Sequence, residues 1–124
     1  MQDEPTPSEL VKAVADFLRN DITPAISGHS AFKLRVAINA LDLVTRQLAL
    51  ESSSDAAEAA RLKQLLNMQG SLHDLNRILA ERIANGEGDL NTPGLAEHLW
   101  QTTLDKLAVD QPNYAAYRRE LGEK

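Results

Sequence analysis

"AFKLRVAINALDLVTRQLAL", residues 31–50, decides the fold of this chain. The stretch holds neither glycine nor proline, and its apolar residues do not alternate as in a half-buried strand, so it reads as a helix over about 30–50. At 1.5 Å per residue that helix is about 30 Å long. Wound at the helical period, Arg35, Asn39, Asp42 and Arg46 fall within a sector of about 60°. Phe32, Leu34, Val36, Ala37, Ile38, Ala40, Leu41, Leu43, Val44 and Leu48 take the rest of the circumference, more than the ~100° stripe of an ordinary surface helix. The expectation is an interior rod, wrapped on every side but one polar seam.

The seam has two readings. In one it is the wet edge of a buried helix, with Asp42 pairing to Arg46 and Arg35 to Asn39 across one turn, each pair contributing a few tenths of a kcal/mol. In the other it lines a cleft in which two guanidinium groups and an amide hold a carboxylate or phosphate.

Outward from this segment, Thr-Pro pairs at 6–7, 23–24 and 92–93 mark helix entries, the hydroxyl capping and the proline filling the first turn. Glu9 completes a capping box with Thr6, and Leu10, Val14, Phe17 and Leu18 recur at helical spacing, giving a helix over about 7–21. The second pair opens only a short turn before Gly28. Serines 52–54 break the central pattern, after which 55–67 forms a separate Ala-rich helix. Ser71 with Asp74 caps the next, in which Leu72, Leu75, Leu79 and Ile83 form one face and which stops at Asn85-Gly86. A fifth helix runs from Pro93 to about Val109, burying Leu95 or Ala96, Leu99, Trp100, Leu104 and Leu107. With no strand pattern and short connections, the fold class is all-α: a single domain, 1–124, built as an antiparallel bundle of about five helices around the 30–50 helix, plus a short C-terminal helix.

That last helix follows from "LDKLAVDQPNY", residues 104–114. Pro112 cannot continue the preceding helix, and Asp110 or Gln111 suits the cap of a new turn, so the chain turns a corner. Tyr114, Tyr117 and Leu121 then line one edge. They either fold back on Trp100 and Leu104 as a clasp or, with Arg118 and Arg119, form a docking surface.

The residue inventory excludes much chemistry. Eighteen acidic against 13 basic residues give −5, which repels phosphate backbones, so nucleic acid is not expected as a partner. No cysteine is present, removing disulfides, thiolate metal sites and a Cys nucleophile. No apolar run reaches the ~18 residues of a membrane span, and the start has no leader-like segment, so a cytoplasmic protein is expected. His29, His73 and His98 lie too far apart to share a helical face, and no Glu-x-x-His pattern precedes any of them; His98 reads as a partly exposed or satisfied bundle histidine. "GEGDLN" lacks a third glycine and a preceding strand, so it reads as a linker, not a nucleotide loop. Asp105, Lys106 and Asp110 read as a solvated face. No cofactor, no metal and no catalytic group are expected.

"KLAVDQPNY" at 106–114, "RVAINAL" at 35–41 and "PTPSELVKAVADFL" at 5–18 resemble an uncharacterised bacterial domain family of small helical proteins. The resemblance implies an accessory role, since members of that family stand alone or attached to aminoglycoside-phosphotransferase-like proteins and are often encoded near acyl-CoA-dehydrogenase-like enzymes. It directs attention to Arg35, Asn39, Lys106, Asp110, Gln111 and Tyr114. Two functions are therefore expected to compete. One is a non-catalytic interaction module, binding a phosphotransferase-like or acyl-CoA-dehydrogenase-like partner or a second copy of itself through the seam and the tail, Tyr117 and Arg118 included. The other is a small-ligand bundle or cryptic enzyme in which Arg35 or Arg46 holds the head group of an anionic acyl or phosphorylated ligand.

Overall fold

The computed structural model describes residues 3–122 and is all-α among them. Five α-helices follow in order: α1 Pro7–Phe17, α2 Gly28–Leu66, α3 Leu72–Ala84, α4 Leu95–Asp110 and α5 Ala115–Glu120. The chain divides into two compact units, Met1–Glu51 and Ser52–Lys124, with α2 contributing to both.

α2 departs from the expected pattern. Serines 52–54 do not end a helix; α2 is one helix of 39 residues. Serine costs only about half a kcal/mol against alanine in a helix, far less than glycine or proline, and residues 29–69 hold neither of those. Three serines between "QLALE" and "DAAEAA" are therefore carried by their neighbours. The helix stops at Asn67, whose φ of 52° is the left-handed conformation that asparagine tolerates better than most residues. Beyond it the Met68 N–H donates to the Lys63 carbonyl at 3.3 Å, and Met68 packs on the cluster containing Leu62, the hydrophobic seal that accompanies such an ending.

In the Met1–Glu51 unit the expected capping box is present: Thr6 Oγ1 accepts from the Glu9 N–H at 3.2 Å, and Glu9 Oε2 accepts from the Thr6 N–H at 2.9 Å. After α1 the chain continues through one wide turn, Leu18–Ile22, and one tight turn, Thr23–Ala25, so the second Thr-Pro pair opens only a short turn. Ser8 Oγ donates to the Thr45 carbonyl at 3.4 Å, and Arg19 donates to Asp42 at 2.6 Å. These ties run in opposite order along the two segments, as antiparallel neighbours require. Beside them Lys12 donates to Asp16 at 2.7 Å, and this hydrogen bond holds the Asp16 carboxyl below its ordinary range.

The interior rod is not what forms. Among the described residues of this unit only Ala15, Ala31 and Ile38 are buried, while Phe32 and Val36 are 55% and 54% exposed and Leu43, Val44 and Leu48 also face solvent. An 11-residue α1 covers one stripe of a 39-residue helix and leaves the others bare, while α3 and α4 fall in the other unit with residues 52–66 of α2.

The Ser52–Lys124 unit holds a leucine core: Leu62, Leu66, Leu75, Leu79 and Leu95 are buried, with Leu65, Met68, Leu72 and Ile78 packed against them. Ser71 caps α3 by accepting from the Asp74 N–H at 3.1 Å. α3 ends where expected, with Gly86 at φ 78° and the Glu87 N–H reaching back to the Arg82 carbonyl at 2.8 Å. α4 begins two residues later than its Thr-Pro signal. Thr92 Oγ1 accepts instead from the Asp89 N–H at 3.0 Å, closing the preceding loop, and left-handed Gly94 (φ 83°) starts the helix. That entry sets the helix phase. Leu95, His98 and Val109 are buried, whereas Leu99 and Trp100, expected inside, are 41% and 54% exposed. α4 ends at Asp110 and the chain turns its corner into α5, as the Asp-Gln-Pro step requires; Tyr114 stays 54% exposed.

Candidate functional site

A cleft of about 930 Å³ lies wholly within the Ser52–Lys124 unit, between the second half of α2 and the start of α4. Arg61 lines it. Its Nε donates to His98 Nδ1 at 3.2 Å, and its Nη2 donates to Thr102 Oγ1 at 3.4 Å and lies 3.7 Å from Asp105 Oδ2. Gln101 donates to the other Asp105 oxygen at 2.9 Å. Leu95, His98, Thr102, Asp105 and Val109 recur at three- and four-residue intervals, so α4 turns a face with a polar middle toward α2.

The guanidinium fixes the state of His98. Arginine only donates, so Nδ1 must be bare and the ring neutral, with its hydrogen on Nε2. His98 is 3% exposed, and its pKa is lowered, first by burial and then by the Arg61 charge; Glu58, held by a 3.0 Å hydrogen bond from Asn76, opposes this weakly. A lowered histidine pKa means that the unfolded chain takes up a proton near about 6.5 while the folded chain does not. Stability is therefore expected to fall as pH drops below that range, and to level off once the folded ring also protonates. Chemical denaturation on either side of the range checks this. His98→Gln is expected to remove the loss, and His73→Gln, on the exposed side of α3, to leave it intact.

None of the residues expected from sequence lines this cleft. In the Met1–Glu51 unit, Arg35 and Asn39 are exposed, and Asp42 and Arg46 are half-buried on the same face of α2. Asp42 accepts from Arg19, on the turn after α1, so the seam is tied to a neighbouring element and is not self-contained. In the Ser52–Lys124 unit, Lys106, Asp110, Gln111, Tyr114 and Arg118 are exposed and Tyr117 is half-buried. Sequence reasoning missed Arg61 and set Asp105 aside as a solvated charge. The available signal was the His98, Thr102, Asp105 spacing, but nothing local names the arginine that it serves.

Among the described residues no group of three acidic or histidine side chains is placed to hold a metal, and no helix is long and apolar enough to cross a membrane. A family model described as a domain of unknown function, DUF6285, matches residues 24–114, well over half of the chain. The chain belongs to DUF6285. The match takes in all of α2, α3 and α4 and so includes Arg61, His98, Asp105 and the whole cleft. It also covers the seam and ends at Tyr114, leaving α5 outside. Searches of curated proteins and of solved structures each gave no match.

Proposed function

We propose that this DUF6285 chain is a non-catalytic helical interaction module of the cytoplasm. The observation that carries this reading is the apolar surface of the Met1–Glu51 unit. Leu10, Val14 and Phe17 lie one or two turns apart on α1 and are 41–52% exposed; Phe32, Val36, Val44 and Leu48 on α2 are 41–55% exposed. Apolar groups this numerous on 51 residues exceed the scattered singles of an ordinary surface, and Leu10, Val14 and Phe17 on α1 and Phe32 and Val36 on α2 give two apolar stripes for a partner to cover.

The partner is another protein and not a second copy. Two chains of net charge −5 bring like charge together, whereas a partner with a basic rim gains from it. The resemblance noted above points to a phosphotransferase-like or acyl-CoA-dehydrogenase-like enzyme. Arg35, Asn39, Asp42 and Arg46 supply a polar rim on α2, and Lys106, Asp110, Gln111, Tyr114, Tyr117 and Arg118 offer a separate polar and aromatic surface on the other unit. The test is co-expression with one such enzyme encoded beside the gene, read by co-elution and mass. Phe32→Glu with Val36→Glu is expected to abolish co-elution while the circular dichroism of the chain stays unchanged. A chain that elutes as a dimer by itself, or that ignores both kinds of enzyme, overturns the reading.

A further inference from the structure

We propose that the exposed stripe of Phe32, Val36 and Leu43 on α2 docks an acidic amphipathic helix, the element by which a partner protein grips this chain; the proposal rests on the partner reading above and names the chemistry of what is bound. At the helical period these three residues fall within about 40° of arc, and the stripe from 32 to 43 runs about 16 Å along α2. All three are exposed. His29, one turn earlier, stacks on Phe32 with ring centroids 6.4 Å apart and widens the aromatic end of the stripe. A straight apolar stripe of three turns with anchors at i, i+4 and i+11 is matched lengthwise by the apolar face of a second helix.

Charge selects which helix. Lys33 lies about 60° to one side of the stripe and Arg35 about 60° to the other. Both are exposed, and among the described residues neither has an ion-pair partner. Between His29 and Leu50 the sequence holds one acidic residue, Asp42, and Arg19 engages it at 2.6 Å. In a chain of net charge −5 this stripe is thus edged by uncompensated cations. The chain's net charge acts at long range and favours a basic rim on the partner, whereas the element in contact answers to the charges within about 8 Å. Carboxylates along both edges of the docked helix meet Lys33 and Arg35, and lysines there meet like charge. The same cations do not suit an anionic bilayer, because a flat surface faces the whole Met1–Glu51 unit, which has seven acidic against five basic residues.

Fluorescence anisotropy of the full chain with two labelled helical peptides of about 20 residues tests this. Both carry one leucine stripe; glutamates edge it in the first and lysines in the second. The glutamate peptide is expected to bind about tenfold tighter, the difference that arises when two exposed charge pairs turn from attractive to repulsive. In about 1 M salt the two are expected to converge. The double variant Lys33→Glu with Arg35→Glu, at exposed positions, is expected to keep its circular dichroism and reverse the order of the peptides. Equal binding at low salt, preference of the native chain for the lysine peptide, or no binding of either overturns the proposal without touching the co-elution test of a partner enzyme. Capture of the chain by phosphatidylserine vesicles, lost in the double variant, overturns it by giving the stripe to a lipid surface. Sedimentation showing a dimer that the double variant dissolves gives the stripe to a second copy, the one outcome that ends the partner reading as well.

Discussion

Leu75→Ala is expected to destabilise the Ser52–Lys124 unit by about 2–5 kcal/mol. Leu75 is completely buried and sits among Leu62, Leu66, Leu79 and Leu95, contributed by three different helices, so no single neighbour can move into the space left by the lost methyl groups. Gly70 adds to the constraint, since a side chain built there would meet Leu75 at 3.4 Å; the backbone already lies close against that leucine. Folded domains carry only about 5–15 kcal/mol in total, so the change removes a large share of it. The denaturant midpoint measures the loss. A shift under about 1 kcal/mol would mean that the leucine cluster is not the core of this unit.

Ser52→Pro is the second large effect, with an expected cost of about 3 kcal/mol or more. Proline at 52 removes the N–H that bonds four residues back and drives its ring against the carbonyl there, while disfavouring helical backbone at residue 51. Its companion, Ser52→Ala, is expected to stabilise by about half a kcal/mol, because alanine is the better helix former at an exposed position. Opposite signs at one residue are the signature of continuous helix. A linker at 52–54 would accept proline with little change and give alanine no advantage, and thermal melts of the two variants distinguish these cases.

Continuity at the serines also shows where sequence reading was sound and where it failed. Helix ends set by local chemistry were legible: the Thr6 capping box, the Ser71 cap, glycine after Asn85 and proline after Gln111 each act within a few residues. The serines were misread because their preference for turns is weak, and the surrounding alanines and leucines outweigh it. Burial along 31–50 was misread for another reason. Apolar residues around a whole circumference say that a helix could be covered, but which neighbours reach it depends on the lengths and grouping of distant segments. The inward face of α4 depended on the left-handed Gly94, and the cleft depended on Arg61, 37 residues before His98. Long-range pairing of that kind leaves no local mark, so the polar centre of the Ser52–Lys124 unit became visible only with the fold.

The outward position of Trp100 carries a practical corollary. It is the sole tryptophan, and both tyrosines follow it in the chain, so every strongly emitting ring belongs to the Ser52–Lys124 unit, whereas helical backbone is shared by both units. Emission melts therefore report one half of the molecule and far-ultraviolet dichroism reports the whole. Wherever the two curves separate, the earlier segment of the polypeptide is melting on its own schedule, without any label having been attached.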